Sequence, residues 1–147
     1  MDPNNPVIQL CQAGMTAEYA GRIEDARRLF MEAWEARQDD YDACVAAHYL
    51  ARSQERPEEV LRWNQAAIDH ASRVEDGRVT EFYPSLYLNL GWSHESLGDP
   101  EKALENYRLA SQRLEDLPAG PYRDIVEGGI ANGLQRVLGG RESSTME

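Results

Sequence analysis

An all-α fold made of repeated helix pairs is predicted by three features of this 147-residue chain. Gly14, His48, Gly91 and Gly133 occupy the same point in four successive helical patterns, 34, 43 and 42 residues apart. Two stretches superimpose without a gap: Gly14 is followed by Gly21, Ala26, Phe30 and Ala33 at the offsets at which Gly91 is followed by Gly98, Ala103, Tyr107 and Ala110. Nothing alternates with period two over enough residues to suggest a sheet. Between the two stretches, His48, Glu55, Val60, Asn64 and Ala67 keep the frame with weaker residues.

Seven helices follow, over about 6–19, 23–37, 40–53, 57–75, 82–97, 100–116 and 121–138. Pro6, Pro57, Pro100 and Pro121 each follow a capping position and precede an apolar-periodic run, where a missing N–H costs nothing. Asp99-Pro100-Glu101 is the clearest start, with a capping carboxylate and an acid in the first turn. Gly21 and Gly98 suit the turn inside a pair, where a residue with positive φ ends the first helix. The second helix of each pair carries its apolar groups three and four apart, as in Ile23, Ala26, Phe30 and Ala33. Small residues allow close approach of two helices, which sets Ala103 against Gly91; Phe30 and Tyr107 are then expected to fill the space toward the next pair. In the last helix Ile130, Leu134 and Val137 point inward, while Asn132, Gly133 and Arg136 form a polar outer face. Residues 139–147 read as a disordered tail.

Composition narrows the function. A chain of this length buries roughly 70% of the surface its unfolded form exposes, so a core forms without staples. No run of about 18 apolar residues is present to cross a membrane. The start MDPNNPVIQL has neither the basic region nor the apolar core of a secretory signal, so the expected compartment is the cytoplasm. Cys11 and Cys44 fall within helical apolar patterns and read as buried free thiols. Fifteen basic against twenty-six acidic side chains give a net charge of -11, which disfavours nucleic acid as a partner.

These residues resemble the tetratricopeptide repeat, a helix-turn-helix unit of 34 residues. The resemblance covers about 7–40, 41–74 and 84–117, with a lone first helix of a fourth unit at 121–138 as a cap. The longer spacings after the second repeat resemble the family's 42-residue variant, and YPSLYLNLG from Tyr83 to Gly91 resembles that variant's helix start. The pattern departs from the family in the second repeat: His48 and Glu55 replace glycines, and Asn64, beside Trp63, stands where a large aromatic residue is expected. The resemblance implies a single domain over 1–138, with antiparallel helix pairs stacked as a short right-handed solenoid.

Chemistry needs a convergent set of nucleophile, base or ligands, and the sequence supplies none: no catalytic residues, metal ligands or cofactor site are expected. His48, His70 and His94 lack a zinc-site spacing, and no phosphate-binding glycine motif appears. Asp39-Asp40 and Glu58-Glu59 serve helix starts. What remains is a binding surface for a protein or peptide. By the resemblance, first helices line a concave groove, here Gln12, Met15 and Tyr19, then Val45, Tyr49 and Arg52, then Leu88, Asn89, Trp92 and Glu95. A peptide laid there would set side chains on Tyr49 and Trp92, with Arg52 and Asn89 as polar handles. The alternative is a homo-oligomer, in which the groove or an exposed end packs against a second copy.

Overall fold

The computed structural model describes residues 2–146, with side chains through 140. Its elements are α1 (Pro6–Tyr19), α2 (Ile23–Glu35), α3 (Asp40–Arg52), α4 (Pro57–Ala71), α5 (Tyr83–Ser96), α6 (Pro100–Gln112) and α7 (Pro121–Met146), with 3-10 turns at Thr80–Phe82 and Leu114–Asp116. No strand occurs among the described residues.

The helix starts follow from local chemistry. Pro6, Pro57 and Pro100 sit in the first turns of their helices. The Asn5 side chain accepts from the Val7 N–H at 2.8 Å, Asp39 from Asp42 at 2.8 Å and Asp99 from Lys102 at 3.2 Å. Each satisfies an amide that the helix leaves without a partner. Gly21 and Gly98 adopt φ of 80° and 78°, and the amides that follow them reach back to the Ala17 and His94 carbonyls at 2.9 Å each. Both stops thus close six-to-one bonds that need left-handed backbone. The α3 stop has no glycine. There the Ser53 hydroxyl and the Gln54 amide both donate to the Leu50 carbonyl, and Arg27 of α2 donates from Nε to the Ser53 carbonyl at 3.0 Å.

The chain divides into two compact units, Met1–Arg78 and Val79–Glu147, where the sequence suggests one domain over 1–138. In the first unit α1 pairs with α2 and α3 with α4, and α3 also lies against α1 and α2. In the second unit α5 pairs with α6, and α7 lies against both. Two apolar clusters hold the second unit together. One joins Ala103, Leu104, Tyr107 and Val137, with Leu88 and Leu134 beside it; the other joins Ala110, Leu117, Val126 and Ile130.

Four expectations need correction. The last helix does not stop before Gly139 but continues to Met146. Two glycines weaken a helix by about 1 kcal/mol each but keep their N–H donors, so the ladder survives; Glu147 lies outside the described residues. Gly133 does not face outward, and Arg136, though exposed, is held by an ion pair. Gly133 is covered by the Tyr107 ring and Arg136 turns back to Glu95, because the ring needs a notch and the carboxylate a cation. A Cβ on Gly91 would meet not Ala103 but the Tyr107 ring, at 2.6 Å. Finally, α2, α4 and α6 end two to four residues early, at Glu35, Ala71 and Gln112.

Candidate functional site

Two surfaces carry the residues singled out in the sequence, one in each unit. In the first unit Phe30 reaches from α2 onto Gly14 of α1, which has no room for a side-chain carbon. The other neighbour of this ring is Tyr49 of α3, stacked on it at 5.4 Å between centroids and 20° between planes. Tyr49 is half-buried and supports the core with one face. Val45 is buried and lies in the core rather than on a wall open to a ligand. Arg52 donates from Nη2 to Glu18 Oε1 at 2.6 Å, so one handle expected to be open is held by α1. Gln12 is exposed, Met15 is half-buried, and Tyr19 is 81% exposed at the end of α1.

In the second unit Tyr107 is fully buried, its ring between the Cα positions of Gly91 on α5 and Gly133 on α7. A Cβ on Gly133 would stand 2.5 Å from the ring. The hydroxyl donates to Glu95 Oε1 at 2.6 Å. Arg136 grips the same carboxylate, Nε to Oε2 at 2.8 Å and Nη2 to Oε1 at 3.1 Å. Arg136, foremost, and then Tyr107 hold Glu95 below the ordinary carboxylate pKa, against the opposing effect of burial. Burial, with the Glu95 carboxylate as acceptor, pushes the Tyr107 hydroxyl up. Glu95 is thereby tied to both Tyr107 and Arg136.

The same guanidinium lies over the indole of Trp92, 5.2 Å from its centroid. Trp92 stays 55% exposed, unusual for the largest apolar side chain. Leu88 is half-buried against the core, 3.0 Å from where a Gly129 Cβ would stand, and Asn89 is half-buried beside it in sequence. Ser85 and Tyr122 join the starts of α5 and α7 through a 2.5 Å hydrogen bond between hydroxyls. Leu88, Asn89, Trp92, Tyr122 and Arg136 thus lie along one α5–α7 face, with apolar surface and a cation above a carboxylate.

Sequence reasoning missed the Glu95–Arg136 clamp and its counterpart, Glu18–Arg52. A signal was present: each glutamate stands four residues after the frame glycine, Gly91 or Gly14. It also missed an aromatic cluster in the first unit, where Trp34 meets Trp63 edge-on at 5.0 Å and carries the Arg37 guanidinium at 4.0 Å. Asp40 receives a hydrogen bond from His70 there at 2.8 Å, a role beyond serving a helix start.

Cys11 and Cys44 are buried and free, and burial pushes both thiols up to about 12, so they are protonated and unreactive. Among the described residues no group of His, Cys, Asp and Glu is placed to hold a metal ion, and no helix is long and apolar enough to cross a membrane.

Residues 84–113, which hold Gly91, Gly98, Ala103, Tyr107 and Ala110, match the family profile described as tetratricopeptide repeat. In fold the chain is similar to the crystal structure of MamA, with a TM-score of 0.57 at 18% identity, over 99% of this chain and 84% of that one. No curated protein matches the chain in sequence.

Proposed function

We propose, from the premise that this chain is a helical-repeat protein carrying a tetratricopeptide repeat over 84–113, that it is a non-enzymatic interaction module whose α5–α7 face binds a peptide segment of a partner protein. One observation carries the reading: Trp92 is left more than half exposed although the residues around it are fixed by the Tyr107–Glu95–Arg136 network. An indole so placed offers a large, rigid contact area at small entropic cost, the property of residues that dominate interfaces. Leu88 and Asn89 extend the same face, with an apolar wall and an amide. In the first unit, Gln12, Tyr19 and Arg52 are the exposed groove residues, Met15 and Tyr49 are half-buried, and Val45 is buried.

The test is selection of a random peptide library against the intact chain. Enriched peptides are expected to bind the parent, and Trp92→Ala to weaken them about thirtyfold with helicity unchanged, the effect of losing about 2 kcal/mol at a contact centre. Failure to enrich any peptide sinks the reading. A concentration-independent dimer in solution would point to self-assembly instead.

A further inference from the structure

On the reading that the α5–α7 face takes a peptide, we propose that Arg136 sets its specificity: the face selects a peptide that places an acidic side chain on Arg136 beside an apolar side chain on Trp92. The guanidinium is held in one orientation by two bonds through Nε and Nη2 to Glu95, itself anchored by the buried Tyr107 hydroxyl. These bonds use one edge of the group. The remaining amino group, Nη1, bonds no described residue, and the Arg136 side chain is 45% exposed. Arginine presents five donors in a fixed plane, so a carboxylate reaching Nη1 meets a donor already oriented. The indole at 5.2 Å lies on the same spot, so the apolar and anionic contacts are adjacent.

Among the described side chains, the other guanidiniums near this face are engaged elsewhere. Arg113 is bound to Asp116 and lies over Tyr83, and Arg123 donates to the Leu117 carbonyl. Arg136 is the cation that α5 and α7 set beside the exposed indole. A strongly acidic chain, at -11 overall, tolerates an anionic ligand group only where a local cation offsets it. On the face of α7 that carries Arg136, the exposed Tyr122 and Ile125 extend the apolar surface toward the start of the helix.

The peptides selected on the intact chain provide the test. Enrichment of Asp or Glu within two positions of an aromatic or aliphatic residue is expected. A synthetic selected peptide should bind about tenfold more tightly than its Gln or Asn counterpart, the scale of one hydrogen bond to a charged group. Arg136→Gln should erase that preference while apolar binding persists, and Trp92→Ala should weaken both peptides. Glu95→Gln, which keeps an acceptor for Tyr107 and removes the competing charge, should enlarge the preference; this variant carries the test if Arg136→Gln does not fold. Selected peptides without acidic enrichment, or a preference that Arg136→Gln leaves intact and Glu95→Gln leaves unenlarged, overturn the assignment while peptide binding itself stands. If no peptide is selected, both readings fall together.

Discussion

Phe30 and Tyr107 stand at the same place in their helix pairs, sixteen residues after Gly14 and Gly91, yet the two rings are held differently. Phe30 has a glycine notch on one side and the half-buried ring of Tyr49 on the other. Tyr107 has a glycine notch on both sides, and its hydroxyl extends into the Glu95–Arg136 clamp. In the first unit the ion pair of the first helices is Glu18–Arg52, with the Arg52 guanidinium 6.0 Å from the centre of the Tyr49 ring. A wedge between two bare backbones cannot shift to relieve strain, whereas a wedge against a side chain can. The second unit is thus the more tightly specified, although both follow one sequence frame.

Removing the rings gives the largest contrast. Tyr107→Ala should cost about 3–5 kcal/mol in urea denaturation, toward the upper end, because two helices lose their filler together. Phe30→Ala should fall toward the lower end, since Tyr49 can settle into part of the space. An equal loss at both sites would mean that the second notch adds nothing.

Filling the notches comes next. Gly133→Ala should destabilise by about 1–3 kcal/mol through collision with the ring, despite the better helix propensity of alanine. Gly128→Ala, on the same helix with nothing within 4 Å of its Cβ, should instead stabilise by about 0.5–1 kcal/mol. If both changes moved stability the same way, the wedge would not be what requires glycine at 133.

Tyr107→Phe converts the second arrangement toward the first and should cost about 1 kcal/mol, the net value of one hydrogen bond. The acid response sharpens the same point with a smaller effect. Glu95 has a lowered pKa in the folded chain, so its contribution is present above the ordinary carboxylate pKa and fades as pH falls through the folded value. Glu95→Gln should remove that part of the acid sensitivity. His48 in the first unit is also held below its ordinary value, by burial and then by Arg52, so its contribution too fades as pH falls below the ordinary histidine range. His48→Asn should flatten the curve there, at higher pH than Glu95→Gln does. Identical pH profiles for the two variants would show that neither group acts as described.

The helix order, most starts and the two glycine turns were legible because they depend on local chemistry: proline in the first turn, a capping oxygen, and a residue free to take positive φ. Ile130 and Val137 were legible as core from spacing alone. What the ring faces was not, because Gly91 and Gly133 look alike in sequence whether they meet a small residue or an aromatic one. Arg136 was legible as an outward residue and is exposed, but its ion pair was not legible. Its partner lies forty-one residues away on another helix, and periodicity places a charge on a face without saying what opposes it. Val45 is buried and Tyr49 half-buried because α3 lies against α1, α2 and α4 together, a neighbourhood that one helix's periodicity does not reveal. The end of α7 was placed too early because Gly139-Gly140 stands where the resembled family has its turn glycine, a local signal that a continuing hydrogen-bond ladder overrides.

The α3–α4 turn has a consequence for how the first unit opens. Gly21 and Gly98 close their turns with bonds inside their own pair, so the amides there can exchange with water through local fraying. The Ser53 carbonyl, by contrast, is held by Arg27 of the neighbouring pair. Breathing of the α3–α4 turn is thereby coupled to α2, and the opening unit spans two helix pairs where a glycine stop would confine it to one.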